Sequence, residues 1–280
     1  MKVVKKINEM QVISDKLRTE GKSIGFVPTM GYLHEGHTSL VKMLKSNCDF
    51  IVMSIFVNPA QFGPNEDFME YPRDFENDKK LAAENGVDVI FYPSAEEMYK
   101  DNFLTSVRIK QITETMCGIS RPKHFEGVAT VVLKLFNIVK PHTAVFGQKD
   151  YQQLVVIRKM VEDLNVDVII ITAPIIREND GLAMSSRNKY LTREERKQAL
   201  VLYKSLILAK KEIERGETNS RAITKKIEEI INGKKLVKID YIKIANPDTL
   251  QDLETIEQRA VIAIAAFVGS TRLIDNVLIK

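Results

Sequence analysis

Between residues 1 and 177, short β-branched apolar runs alternate with stretches whose apolar positions recur at helical spacing. This alternation constrains the fold more than any other feature. Strands separated by helices cannot pair as hairpins, so they line up in parallel, with the helices covering both faces of the sheet. Ile7, Met10, Ile13 and Leu17 mark a first helix, and "SIGFVPT" then reads as a buried strand. A second helix begins near Glu35 or Gly36 and runs through "HTSLVKMLKSN". "DFIVMSIFV" (49–57) is a nearly unbroken apolar run, as a parallel strand covered on both faces requires. "DFENDKKLAAENG" reads as a helix closing on Gly86, followed by the strand "VDVIFYP". "SAEEM" has the Ser-x-x-Glu form of a capping box. After it come the β-branched run "TSVRI", the helical "VATVVLKLFNIV", the strand "TAVFG", the helix "DYQQLVVIRKMVEDL" and the strand "VDVIIITAPIIR".

Past residue 178 the pattern changes. "LTREERKQAL" opens a long helix with Thr192 and Glu195 as a capping box, and "NSRAITKKIEEIING" forms another that ends at Gly233. Three adjacent strand-like runs follow: "KIDYIKIAN", "AVIAIAAFVG" and "TRLIDNVLI". The expected fold class is α/β, a doubly wound parallel, Rossmann-like sheet over 1–177 with a smaller C-terminal α+β domain over 178–280. No repeat or low-complexity linker separates the two parts, so they should pack closely. A chain of 280 residues, 44% hydrophobic, is long enough for two domains with real cores.

Charge narrows the function. The excess of 41 basic over 37 acidic residues is small and spread along the chain. It weakly favours small anionic ligands and does not form the basic stripe of a nucleic-acid binder. No apolar run approaches the roughly 18–20 residues of a membrane helix, and the N-terminus has no signal-peptide core, so no membrane partner and a cytoplasmic protein are expected. Cys48 and Cys117 stand in no metal or redox spacing, which fits a reducing compartment.

In open parallel sheets, ligands collect at the carboxyl ends of the strands. Four polar motifs fall there: "TMGYLHEGH", "NPAQF", "GQKD" and "MSSR". The first holds two of only four histidines, His34 and His37, at a helix start where backbone N–H groups and the dipole attract anions. Gly31 and Gly36 allow close approach of a ligand to the backbone. The alternatives are a pair of surface histidines or a metal site, but zinc needs three or four ligands and His124 and His142 lie in unrelated contexts. In "GQKDYQQL", Lys149 offers a point charge, Asp150 a helix cap or a ribose contact, and Gln153 lies one turn on; a plain N-cap is the alternative. Ser185, Ser186 and Arg187 form a donor set suited to phosphates, or simply a turn between domains. Asn58 and Gln61 are amides suited to hydroxyls and carboxylates, or a strand end. Arg121, Lys123 and His124 form either a mobile basic loop near the site or a helix entry. The chain has no Walker-type phosphate loop, no G-x-G-x-x-G after a strand and no G-x-S-x-G elbow. Nucleotide binding must therefore come from the histidine motif or not occur at all.

"PTMGYLHEGHTSLV" resembles the His-x-Gly-His element of the nucleotidylyltransferase superfamily, which includes class I aminoacyl-tRNA synthetases. Together with "NPAQF", "HFEGVATVV", "VFGQKDYQQL" and "MSSRN" in this order, the chain resembles the pantoate–β-alanine ligase family. The resemblance spans roughly residues 20–195. It implies ATP-dependent condensation of pantoate with β-alanine through an enzyme-bound pantoyl adenylate, releasing pyrophosphate and AMP. It implies that His34 and His37 bind the phosphates and stabilise charge as pyrophosphate leaves, with Lys149, Ser185, Ser186 and Arg187 assisting. ATP would be held by Met30, Gly31, Tyr32, Leu33, His34, Glu35, Gly36 and His37, by Gly147, Gln148, Lys149 and Asp150, by Ile176, and by Met184 to Arg187. Gln61 and Gln153 would bind pantoate, with Asn58 shaping that pocket. Mg2+ would ride largely on phosphates and water, its protein ligand unassigned although Asn77 and Asp78 are the place to look. A homodimer is implied, the C-terminal part closing over the substrates. The rival reading is another adenylyltransferase of the same superfamily.

Overall fold

The computed structural model describes residues 1–64 and 66–280. Six strands form one wholly parallel sheet: β1 (Lys2–Val4), β2 (Ile24–Thr29), β3 (Phe50–Ile55), β4 (Val89–Phe91), β5 (Thr143–Gly147) and β6 (Ile169–Ala173), in the order β1-β4-β3-β2-β5-β6. The connecting helices are α1 (Ile7–Thr19), α2 (Glu35–Lys45), α3 (Phe75–Glu84), α4 (Ala95–Met98), α5 (Cys117–Ser120), α6 (His124–Val139) and α7 (Tyr151–Asp163). The sheet is doubly wound. Ile24, Phe26 and Val52 face Met10 of α1, Val128 of α6 and Leu154 of α7, whereas Val27, Ile51 and Met53 face Leu40 and Leu44 of α2 and Ala82 of α3. Strands buried on both faces read as unbroken apolar runs, and for that reason their alternation was invisible in "DFIVMSIFV".

The rest of the chain forms α8 (Arg193–Ala199), α9 (Val201–Glu214) and α10 (Ser220–Asn232), then an antiparallel sheet β7 (Val237–Ala245), β8 (Ala260–Val268) and β9 (Thr271–Ile279) in sequential order. The Thr192–Glu195 capping box is present. Central β8 is buried on both faces: Ile262, Ile264 and Ala266 pack on α9 and α10, while Val261 and Ala263 join the core of the parallel sheet through α6 and α7. The two sheets thus share packing, as the missing linker led us to expect.

One strand was not foreseen and three local expectations change. β1 is a three-residue edge strand, too short to show periodicity. "TSVRI" joins neither sheet; Val107 instead donates its N–H to Thr130 Oγ1 at 2.9 Å. Ser94 caps α4, but Glu97 turns away to accept the Ile7 N–H at 2.9 Å, so it ties the start of α1 instead of closing a box. Asp150 precedes α7 without a side-chain cap bond.

The sheet parts at one place. β2 pairs with β3 over six residue pairs from Ile24↔Phe50 to Thr29↔Ile55, but with β5 only at Gly25↔Thr143 and Phe26↔Ala144. The cause is in the backbone. Phe50 and Phe56 donate to Ser23 O and Thr29 O, so odd-numbered residues of β2 face β3. His142 donates to Ile24 O, so even-numbered residues face β5, and Pro28 has no N–H to offer there. Winding also reverses between β2 and β5, which makes this the topological switch point where such folds bind ligands.

From Thr29 the chain leaves β2 through two left-handed residues, Gly31 (φ +85°) and Tyr32 (φ +52°). Buried Asp78 holds this turn, its two oxygens accepting the N–H groups of Tyr32 (2.8 Å) and Leu33 (2.6 Å). Burial raises the Asp78 pKa, and these two hydrogen bonds partly offset the rise. A Cβ on Gly31 would stand 2.9 Å from both Asp78 Oδ2 and Ile55 Cγ2. Gly31→Ala is therefore expected to destabilise the fold by about 1–3 kcal/mol. Asp78→Ala, which orphans two amides, should cost about 2–4 kcal/mol. Urea unfolding of both variants checks this; wild-type midpoints would contradict it.

Candidate active site

α2 starts directly after the turn, with His34 as its N-cap. The His34 N–H donates to His37 Nδ1 at 3.3 Å, so the neutral His37 ring carries its proton on Nε2 and presents a donor there. The two rings lie 4.0 Å apart, centroid to centroid. His34 folds over Gly36, where a Cβ would meet its ring at 2.9 Å, and its buried Nδ1 has no partner among the described residues. Burial and then Lys149 lower the His34 pKa to about 4. Burial, His34 and Lys149 hold His37 well below the usual histidine value. Both rings are neutral hydrogen-bonding groups at pH 7, set at a helix mouth that attracts anions.

Where β2 and β5 part, an inner chamber of about 210 Å³ opens, walled by Pro28 and Thr29 on one side and by Val145, Phe146 and Gly147 on the other. His34, His37, Met30 and Gly36 line it, together with Gly147, Lys149, Asp150, Ile176 and the whole of Met184 to Arg187. Its apolar wall is Val128, Val131, Val132 and Leu135 of α6. Gln61 and Gln153 supply amides, and Asn58 stands behind Gln61. Lys149, Asp150, Gln153, Ser185 and Arg187 also line a larger cavity of about 1020 Å³ that runs on to β9, so the two spaces adjoin.

The remaining expected residues do other work. Asn58 is 1% exposed and fully engaged: its amide donates to Gln61 Oε1 (3.2 Å) and Gly127 O (3.1 Å), and its Oδ1 accepts from Tyr99 Oη (2.8 Å) and the Ala60 N–H (3.3 Å). It orients Gln61. Leu33 is buried in the core, Glu35 is exposed on the first turn of α2, and the Tyr32 ring lies under Lys189 Nζ at 4.3 Å. The Gln148 amide donates to Asn276 Oδ1 at 3.1 Å. Ser185 Oγ accepts the Arg187 N–H at 3.3 Å, and Ser186 Oγ donates to Tyr32 O at 3.4 Å, tying the serine segment to the histidine turn.

Two partners were not foreseen. Arg187 makes a two-pronged pair with Asp67, both bonds 2.8 Å. Burial works against its charge, but Asp67 more than restores it and raises the pKa. Arg121 pairs with Glu66, and His124 Nδ1 lies 2.9 Å from Gln61 O. A carbonyl only accepts, so Nδ1 of His124 carries the proton. The segment around residues 121–124 is thus both the entry to α6 and part of the larger cavity's wall. Asp78, considered near a metal, spends both oxygens on backbone amides. Asp67 gave no sequence signal and Asp78 was singled out for a different role, since each meets its partner across 120 or 45 residues of chain.

Comparison with known proteins shows the family. The family model described as pantoate-beta-alanine ligase matches residues 2–278. A pantothenate synthetase from Caldicellulosiruptor bescii is 61% identical over 280 residues, covering 100% of this chain and 99% of that protein. A pantothenate synthetase structure from Thermus thermophilus superposes with a TM-score of 0.94 at 43% identity, covering 99% of each chain. A Francisella tularensis pantoate-beta-alanine ligase, solved with beta-gamma ATP and β-alanine, superposes at 0.80 with 38% identity, covering 99% of this chain and 97% of that one. With the family model and such relatives matching from end to end, the chain belongs to the pantoate–β-alanine ligase family.

Proposed function

We propose that this ligase activates pantoate with ATP in the crevice between β2 and β5 and passes the pantoyl group to β-alanine. The observation that carries the reading is the inner chamber, which sets two amides and an aliphatic wall directly beside two neutral imidazoles at a helix mouth. Pantoate is a dihydroxy acid with a gem-dimethyl carbon. Val128, Val131 and Val132 suit the methyl groups, and Gln61 and Gln153 suit the hydroxyls and carboxylate. ATP enters along the adjoining cavity with its triphosphate toward His34, His37 and Lys149.

A pantoate carboxylate oxygen attacks the α-phosphorus, and the bond from that phosphorus to the bridging oxygen breaks, releasing pyrophosphate. Such a step needs positioning and charge stabilisation more than a protein nucleophile. His37 Nε2–H is held as a donor because the His34 N–H occupies Nδ1, and Lys149, Ser185 and Ser186 add a cation and hydroxyls. Arg187 serves the phosphates by giving up one carboxylate partner for another anion. The β-alanine amine then attacks the pantoyl carbonyl, the carbonyl–oxygen bond to the phosphate breaks, and AMP leaves. The donor set suits phosphate oxygens, and no group of three or more His, Cys, Asp or Glu among the described residues is placed to hold a cation. A magnesium ion would enter with ATP, held largely by its phosphates and water.

Residues 1–177 hold nucleotide and pantoate in this reading, and 178–280 close the cleft over them. The family resemblance supports a homodimer and a cytoplasmic enzyme. Among the described residues no helix is long and apolar enough to cross a membrane.

The reaction is tested by exchange of labelled pyrophosphate into ATP. Exchange should require pantoate and proceed without β-alanine, and AMP should appear only when the amine is added. Exchange with other acids but not pantoate would overturn the reading. His37→Ala should lower the exchange rate roughly 10²–10³-fold, the scale of one lost preorganised donor. Gln61→Ala should raise the pantoate KM and leave that of ATP nearly unchanged.

The imidazoles also fix a pH dependence. Their folded-state pKa values lie below the roughly 6.5 of a free histidine, so the unfolded chain takes up protons first as pH falls. Stability contributed by the neutral rings is full above that value and is lost progressively as pH drops toward the value of about 4 given for His34. Melting temperatures between pH 7 and 4 should fall more steeply for the wild type than for a His34→Gln, His37→Gln double variant; parallel curves would contradict the assignment.

A further inference from the structure

Asp275 and Asn276 are neighbours in β9 and are 4% and 3% exposed. Adjacent strand residues point to opposite faces, so two consecutive buried polar side chains must each find partners on a different side. Asn276 Nδ2 donates to the carbonyls of Gln148 (2.9 Å) and Lys149 (3.0 Å), and its Oδ1 accepts from Gln148 Nε2 (3.1 Å). These are carbonyls of the tight turn Gln148–Asp150, which Asp150 does not secure with a side-chain cap. The turn carrying Lys149 is held from outside, by the second sheet.

Asp275 holds the other segment. Its oxygens accept Nη1 and Nη2 of Arg177 at 2.7 and 2.9 Å, and Oδ1 also takes the Asn276 N–H at 2.8 Å. Arg177 donates to Gly181 O at 3.1 Å and stacks 3.8 Å above the Tyr203 ring. It stands opposite Ala183 in the bridge that closes the 177–183 hairpin, and Met184 donates its N–H to Ile176 O at 3.0 Å. That hairpin delivers Met184 to Arg187 into the crevice.

We propose that Asp275 and Asn276 are positioning residues, a dyad on β9 that fixes the spacing between Lys149 and the Met184–Arg187 segment around the triphosphate. The proposal rests on the reading of those two segments as phosphate ligands. Both Asn276 amide hydrogens and both Asp275 oxygens are engaged by protein groups, so the dyad acts through its partners. Misplacing a catalytic group by an ångström slows a reaction by roughly a hundredfold, so loss of the Asn276 contacts belongs on that scale.

The test is a double-variant cycle read by pantoate-dependent pyrophosphate exchange. Asn276→Ala is expected to lower exchange roughly 10- to 100-fold and to raise the ATP KM, leaving the pantoate KM within about twofold. If it works through Lys149, adding it to Lys149→Ala should cost little more than Lys149→Ala alone. Losses that multiply in the double variant, or equal rises in both KM values, would overturn the proposal by showing general damage. A wild-type rate for Lys149→Ala would instead strike down the phosphate-site reading and the proposal with it. Should Asn276→Ala fail to fold, Arg177→Lys keeps the charge and loses the two-pronged bond. It is expected to raise the ATP KM about tenfold with pantoate unaffected, and an unchanged ATP KM would overturn the proposal.

Discussion

Pairing between β2 and β5 stops after Phe26 and Ala144, and almost everything functional in the molecule follows from that break. A parallel sheet with a complete central ladder would leave no room between its strands. Here Pro28 withholds the one N–H that would carry the β2 ladder toward β5, and the carboxyl ends of the strands separate. Two strand ends, a helix mouth and the entry to α7 then face a common space. The crevice buries both histidine rings enough to hold their pKa values down and carries the amides to orient a small acid. Low local dielectric also strengthens each hydrogen bond made to developing charge.

What holds the crevice in shape is a set of long-range polar anchors. Asp78 fixes the left-handed turn before His34, Asn58 fixes Gln61, Asp67 engages Arg187, and Asn276 fixes the turn that carries Lys149. The anchors at Asp78, Asn58 and Asn276 leave a backbone or side-chain donor set in place before any ligand arrives, which reduces the ordering cost of binding, whereas Asp67 holds Arg187 in position until a phosphate replaces it. The backbone also assigns opposite tautomers to two histidines. His37 accepts an N–H at Nδ1 and so donates from Nε2, whereas His124 donates from Nδ1 to a carbonyl and keeps its lone pair on Nε2.

The sequence made the strands, the helices and the four strand-end motifs legible, because parallel strands and their covering helices leave strong local periodicity. "TMGYLHEGH", "NPAQF", "GQKD" and "MSSR" do contribute residues to one chamber, as expected of motifs at the carboxyl ends of parallel strands. Of the anchors, only Asn58 was legible. Asp78 looks like any acidic residue in the first turn of α3, and Asp67 like a loop charge, since both meet their partners only after folding. The signal for Asp275 and Asn276 was present but unread: a polar pair interrupting the apolar strand "TRLIDNVLI". Local motifs misled where a side chain had a better distant partner, as with Glu97, which left its capping box for Ile7. β1 escaped because three edge residues carry no period.

The account stands on the triphosphate lying in the gap between β2 and β5, against the paired imidazoles. A crystal structure of the enzyme with a non-hydrolysable ATP analogue measures this directly. Phosphate oxygens within hydrogen-bond reach of His34 and His37, beside Lys149, are the predicted result. A nucleotide bound with its phosphates outside that gap, and the two rings turned from it, would contradict the account.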